Sequence, residues 1–576
     1  MHLVRLTSAT LALFLAGCAQ FGLSTEQSRY AAIDAEVRET ADDYSHFLVA
    51  RFASLTNDPA VAASNYANIA ASLPDDISIA ERAVFSALLA NDFNLGLSIL
   101  RSMPATVRAQ TILPRIVIAS DQLAQQLYPK VDQTLSGTDM GLFNGMIAQS
   151  LLAWSAYGDG DLERAREIFD AALTGDQLLD GVSRNMQGML ELAAGNDEAA
   201  FDILEETWTG GARLAVSTRA YAQLLALRGE KDEALRTLDI FRDEVGFNPD
   251  LTALADAIRA GDPITIERLS PEQGAAMAVY APAAALAAQS LNDLPGVYFS
   301  IAVHLDPKMY AAKSLWAEAL DRAGRRDEAI AMLETIPEGT VYYASARGQM
   351  AWALRREGRD DDALEVAYQT LEHDPDRDLM VQIADLLRSM SRDADSIAVL
   401  GEVIALDAGT GREDWRLFYA RGVAYERTAQ WPKAEADLEK ALELNPDSAE
   451  VMNYLGYSWV DRNIHLSEGM GLIRQALMLQ PRSGPITDSL GWAHFKLGQY
   501  DRAVNYLERA VELSPGVAEI NGHLGDAYWM TDRRAEAKFQ WQRTLDLTTD
   551  SAERKALQRK IDAGLPRLTP ASFAQP

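Results

Sequence analysis

The chain has 576 residues, too many for one ordinary hydrophobic core; about 150 residues per domain gives about four domains, unless the chain is a repeat array. Hydrophobic residues at 48% and charged residues at 24% exclude wholesale disorder. With 53 basic and 83 acidic residues the net charge is −30, so nucleic-acid phosphates and anionic lipid headgroups should repel it. A single cysteine excludes a disulfide framework, a Cys-based zinc site and an iron–sulfur cluster within the chain.

The start reads MHLVRLTSATLALFLAGCAQ. Arg5 supplies a positive n-region, and Leu6 to Ala16 supply an apolar stretch of 11 residues, the length of a signal h-region and too short to span a bilayer. Leu15-Ala16-Gly17-Cys18 resembles the bacterial lipoprotein box, which implies a signal peptide over 1–17 and acylation of Cys18. Ala19 stands where an Asp would resemble an inner-membrane retention signal. The expected location is therefore the periplasmic face of the outer membrane, with membrane contact through the lipid anchor only. Residues 18–24 form a tether of at most about 20 Å. Ser24-Thr25-Glu26-Gln27 has the pattern of a capping box that would open the first helix.

A helical period then runs through the chain. The tetratricopeptide pattern places Trp, Leu-Gly and Tyr on a first helix and Ala, Phe and Pro on and after a second, with a period of 34. From Trp415 the matching residues are Gly422, Tyr425, Ala434, Leu438, Ala441 and Pro446. The next units carry Leu455-Gly456, Gly469, Ile473, Ala476 and Pro481, then Leu490-Gly491, Ala503, Leu507, Ala510 and Pro515. A fourth has Leu524-Gly525, Tyr528, Ala537 and Trp541. The glycines let the two helices of a unit approach closely, and the prolines end the second helix. Weaker copies upstream include the turns Gly324–Ala329, Gly358–Ala363, Gly229–Ala234 and Gly158–Ala165. The pattern predicts an all-α fold, a TPR superhelical solenoid of helix-turn-helix repeats.

The expected organisation is a degenerate array over 25–260, a discontinuity at 261–272 around Gly261-Asp262-Pro263 and Ser270-Pro271, middle repeats over 273–409, well-formed repeats over 410–548, and a capping helix with a loose tail over 549–576. The apolar run AAMAVYAPAAALAAQ carries Pro282 and small residues, which fits helix packing better than membrane contact. The seven histidines form no zincin motif, and no P-loop, dinucleotide fingerprint or nucleophile elbow is present. The expectation is a non-enzymatic chain with no cofactor and no metal site.

In TPR proteins the first helix of each repeat lines a concave groove through positions 2, 5, 9, 12 and 13. Carried onto this chain, these include Arg416 and Tyr419; Glu450, Asn453, Tyr457 and Asp461; Asp488, Trp492, Phe495 and Lys496; and Glu519, Asp526, Trp529 and Met530. Rigid aromatics beside amides and acids suit a protein partner. The Lys/Asn clamp that holds C-terminal carboxylates in some TPR modules is missing, since Tyr419 and Val423 stand at two of its positions.

The run NYLGYSWVDRNIHLSEGMGLIRQAL, followed by ITDSLGWAHFKLGQYDRAVNYLERA, resembles the long TPR lipoproteins of the outer membrane that act as adaptors for carboxyl-terminal processing proteases. The match covers about residues 300 to 545 and includes Asn453, Tyr457, Asp461, Asp488 and Trp492. The resemblance implies a periplasmic serine protease and peptidoglycan hydrolases as partners. The other class left open is an envelope-assembly scaffold serving peptidoglycan synthases, outer-membrane insertion or polysaccharide export.

Overall fold

A computed structural model describes residues 35–137, 140–173, 175, 177–289, 293–373, 375–410 and 413–565. Cys18, the capping box at Ser24 and the tail from Pro566 lie outside the described residues. Among the described residues there are 31 α-helices and no strand, arranged mostly as antiparallel pairs. This is the all-α repeat architecture expected. The chain divides into two compact units, Met1–Glu357 and Gly358–Pro576.

The second unit is a regular stack. Its helix pairs are Arg377–Ser389 with Asp393–Asp407, Trp415–Arg427 with Trp431–Leu444, Ala449–Asp461 with Leu466–Leu479, Gly484–Lys496 with Tyr500–Leu513, and Ala518–Met530 with Arg534–Leu547. The local causes are plain in the sequence. Asp414, Ser448 and Ser483 cap the first helices by accepting from the backbone N–H groups of Arg416, Val451 and Ile486. Asn445, Gln480 and Ser514 end the second helices in non-helical conformations with ψ 84°, 71° and 66°, the proline that follows each of them disfavouring the helical region. Within a pair, the predicted glycines mark the closest crossings. A methyl on Gly456 would lie 2.7 Å from the carbonyl oxygen of Gly469, and one on Gly491 would lie 2.7 Å from Leu507. Ala434, Leu438, Ala441, Ala503, Leu507 and Ala510 are fully buried behind those crossings.

The first helices of consecutive pairs touch one another, Ala449–Asp461 against Gly484–Lys496 and the latter against Ala518–Met530. They therefore form the inner wall of this stack, and the second helices form the outer one. Helix Ser551–Ala563 closes the far end, capped by Asp550 and ended at Gly564.

The first unit departs from a simple array. Helices up to Pro249–Ala260 follow one another in pairs, but the stretch Asp262–Ser270 is helix-free and runs back across earlier helices. Gln223 donates to the Thr265 carbonyl at 2.9 Å, and Arg268 donates to Asp197 and to the Leu192 carbonyl. Helix Pro271–Gln289 then packs on Gly141–Gly158, where Gly274 lies flat on the fully buried ring of Trp154. Helix Leu294–Leu305 packs on Ile77–Leu89 and Ile112–Ala124, with His304 stacked 3.7 Å from Phe93. The interruption expected at 261–272 is thus a chain return inside the first unit, and the division between compact units falls at Glu357 and Gly358. The first part of the run AAMAVYAPAAALAAQ is buried between helices, Ala275 to Ala281 and Ala283 all being enclosed. No helix among the described residues is long and apolar enough to cross a membrane.

Candidate functional site

On the inner wall of the second unit, six of the expected residues, Tyr457, Asp461, Asp488, Trp492, Lys496 and Glu519, come together with one other, His523. Tyr457, at the ninth position of its helix, donates its hydroxyl to Glu519 Oε1 at 3.0 Å, two repeats along. Trp492 donates its indole N–H to Asp461 Oδ1 at 3.3 Å, and Lys496 reaches the Asp461 carbonyl at 2.9 Å and its carboxylate at 3.2 Å. Asp488 is buried and accepts from His523 Nδ1 at 2.9 Å. His523 Nε2 points toward Glu519 at 4.0 Å. The rings form a stack: Phe495, Trp492 and His523 lie face to face at 4.7 and 4.0 Å between centroids.

This arrangement follows from helical spacing. Residues 488, 492 and 496 are four apart and share one face of their helix, so together they meet the equivalent faces of the preceding and following repeats. The electrostatics are acidic. Burial, then the carboxylates of Glu519, Asp461 and Asp488, push the Tyr457 phenol well above its usual range, so it is a hydroxyl donor at all ordinary pH. Asp461 and Glu519 keep 51% and 64% of their side chains exposed, which leaves carboxylate oxygens free to meet a cationic group of a partner.

Not every expected residue joins this cluster. Phe495 is 3% exposed and belongs to the core, so its role is to support Trp492 from behind rather than to touch a partner. Trp529 is covered: its N–H donates to the Leu565 carbonyl at 3.1 Å, and Arg534 lies 3.8 Å over its ring. The closing helix causes this, because Lys560 bonds Asp526 at 2.8 Å and fills the groove positions of the last repeat. Asn453 is half-buried with its Oδ1 unpartnered. Arg416 and Tyr419 form a separate aromatic neighbourhood upstream. Arg416 lies 5.0 Å over the Trp415 ring, and Tyr419 meets Tyr454 edge-on at 5.7 Å.

His523 was not among the expected groove residues, because it stands one position past the fifth of its helix. The signal that could have found it is its distance of 35 residues from Asp488, one repeat and one step. A second feature lies on the outer side of the same repeats. It is an open groove of about 620 Å3, floored by Leu442, Leu455, Trp459 and Leu472 and rimmed by Glu439, Glu443 and Glu468.

Tetratricopeptide-repeat family models match residues 146–171, 215–239, 415–448 and 494–561. The matched segments carry tetratricopeptide repeats, units that build protein-interaction scaffolds. A TPR repeat-containing protein of Pseudomonas aeruginosa is 28% identical over 173 residues, 30% of this chain and 29% of that one. The mouse interferon-induced protein with tetratricopeptide repeats 2 is 30% identical over 111 residues, 18% of this chain and 23% of that one. The chain spans under a third of the length of the curated relatives it matches. Among solved structures, a chain of the APC/C hetero-tetramer Cut9–Hcn1 is 13% identical, with 91% of this chain and 96% of that one covered at a TM-score of 0.39. A tetratricopeptide repeat protein from Parabacteroides merdae is 16% identical, with 44% of this chain and 93% of that one covered at 0.35.

Proposed function

We propose that this chain is an adaptor that holds a periplasmic carboxyl-terminal processing serine protease and its cell-wall hydrolase substrates together at the outer membrane, tethered through an acylated Cys18. The observation that carries the reading is the inner-wall cluster of Tyr457, Asp461, Trp492 and Glu519. It pairs amphipathic rings with exposed carboxylates along consecutive repeats. Such a surface favours an extended, basic partner segment, and the net charge of −30 steers basic proteins toward it. Enzymes that work on the anionic cell wall are often basic, which fits this sign. An adaptor needs no chemistry of its own. Two partners on one scaffold meet at a raised effective concentration.

The test is capture from detergent-solubilised envelopes by the wild-type chain and by a Tyr457→Ala/Trp492→Ala double variant whose helicity is checked by circular dichroism. A carboxyl-terminal processing protease or a hydrolase should be retained by the wild type and lost by the folded variant. The purified chain should also speed degradation of the hydrolase by that protease. Recovery of a synthase or an export component instead would replace the adaptor reading with that of an envelope-assembly scaffold. For the tether, Cys18→Ala should release the chain from membranes or block its processing, and unchanged membrane association would refute the anchor.

A further inference from the structure

The first unit holds a cavity that plays no part in the groove. It has a volume of about 570 Å3 and lies among helices Phe93–Ser102, Ile112–Ala124 and Tyr128–Leu135. In a chain with 83 acidic and 53 basic residues, this cavity is lined by three guanidinium groups, Arg101, Arg108 and Arg115, and a single carboxylate, Asp121. Its apolar wall includes Leu97, Leu100 and Ile118.

Arg115 is the unusual member. It is 5% exposed, yet it makes no ion pair among the described residues. Its Nε donates to the Thr134 carbonyl at 2.7 Å and its Nη2 to the Ser136 carbonyl at 3.0 Å, while its Nη1 has no partner. Those two bonds tie off the end of helix Tyr128–Leu135, a sound structural use for an arginine. They leave a full positive charge buried against carbonyl dipoles alone, and burial shifts Arg115 toward release of its proton. A buried charge without a counter-charge is costly. The aspartate nearby is no dedicated counter-ion. Asp121 accepts from Gln125 at 2.8 Å and sits 3.4 Å from His304 Nε2 and 3.6 Å from the outer Arg101. Arg108 gives one N–H to the Leu100 carbonyl at 3.0 Å, and Arg101 keeps 70% of its side chain exposed. Both retain donors for a further acceptor.

We propose that this cavity binds an oxyanion, a carboxylate or a phosphate group, carried on a small and partly apolar body. Arg101 and Arg108 would meet the charged oxygens with their forked donors, and Arg115 supplies the positive field behind them. The apolar remainder would lie along Leu97, Leu100 and Ile118. The volume lies within the range of small-ligand clefts. This site is independent of the inner-wall cluster and of the adaptor reading.

The experiment is calorimetric titration of the full chain at low ionic strength with three probes: inorganic phosphate, an acetylated Ala-Leu dipeptide with a free carboxylate, and the same dipeptide as its amide. Saturable binding of phosphate or of the acid, with no binding of the amide, is expected. Which of the two binds names the source of the oxyanion. Arg101→Ala with Arg108→Gln should lower that affinity at least ten-fold while leaving the melting point unchanged. Should that variant fold poorly, Arg101→Glu alone, at an exposed position, should still weaken binding several-fold. No saturable binding of phosphate or acid, equal binding of the amide, or full affinity in the folded variants would overturn the proposal.

Discussion

The imidazole of His523 lies flat on the indole of Trp492, 4.0 Å between centroids and 15° from parallel, while its Nδ1 bonds Asp488 at 2.9 Å. Burial alone would lower the imidazole pKa, but the carboxylates of Asp488, Glu519 and Asp526 outweigh it and hold the group above its usual value. A raised folded-state pKa gives stability that is complete below the ordinary imidazole value of about 6.5 and fades as pH climbs through the raised one. The gap in melting temperature between wild type and His523→Gln should therefore be wider at about pH 5.5 than at about pH 9. A gap that stays constant over that range would refute the charged pair.

Gly456 and Gly469 face each other at the crossing of their hairpin, each within 2.7–2.8 Å of where a methyl on the other would meet its backbone oxygen. Neither oxygen can move without parting the helices. Gly456→Ala should cost about 1–3 kcal/mol by overpacking, and Gly456→Leu more. Thermal unfolding followed by far-UV circular dichroism reads this directly. A melting curve superimposable on wild type would mean that the crossing is placed wrongly.

One ion pair ties the closing helix to the inner helix of the last repeat, beside the apolar packing of Leu557. Lys560 Nζ bonds both oxygens of Asp526, at 2.8 and 2.9 Å, and Asp526 also accepts the Trp541 indole N–H at 2.8 Å. Lys560→Met should loosen Ser551–Ala563 at a cost of about 1.5–3 kcal/mol, the worth of a hydrogen bond to a charged group. Trp529, which that helix covers, should then become quenchable by iodide. Unchanged quenching in the variant would show that the helix is held by other contacts.

The turns between paired helices need one residue in the left-handed conformation. Gly498 meets this freely at φ 71°, whereas Ala429 adopts it at φ 59° in an exposed turn. The Cβ of an alanine costs about 1–2 kcal/mol there, and glycine gives part of that back through its freer unfolded state. Ala429→Gly should raise stability by about 0.5–1 kcal/mol, visible as a higher denaturant midpoint with an unchanged slope.

The second unit was legible because its signals are local. Gly456, Gly491, Pro481 and Pro515 recur at the repeat period, and each acts on helices adjacent in sequence. The meeting of Asp461, Asp488 and Trp492 follows from the same arithmetic. What escaped depended on contacts the period does not encode. Whether Trp529 is open or covered depends on a helix that is no repeat at all. Phe495 and Trp492 both stand at groove positions, and only packing decides which one is buried. His523 reaches the cluster from one residue beyond the expected register. In the first unit, nothing periodic relates Gly274 to Trp154, so the return of the chain left only a pair of proline-containing breaks in the sequence.

That return sets a schedule for folding. Arg325 Nη2 donates to the Leu89 carbonyl across 236 residues of chain, and Asn57 Nδ2 to the Ala323 carbonyl across 266. The face of Ile77–Leu89 that Leu294–Leu305 covers stays bare until more than half of the polypeptide has been made. Contacts this distant in sequence close slowly, because a long loop loses its entropy before any contact rewards it. The second unit carries no such debt, since each hairpin rests on its neighbour and a nucleus anywhere along it can spread. During synthesis the N-terminal helices should thus wait, with apolar faces exposed, until residues 294–325 emerge, whereas the second unit, made afterwards, should fold hairpin by hairpin as it appears. A chaperone that shields apolar surface would act on the waiting half, and truncation between Ala260 and Leu305 would leave it permanently unfinished.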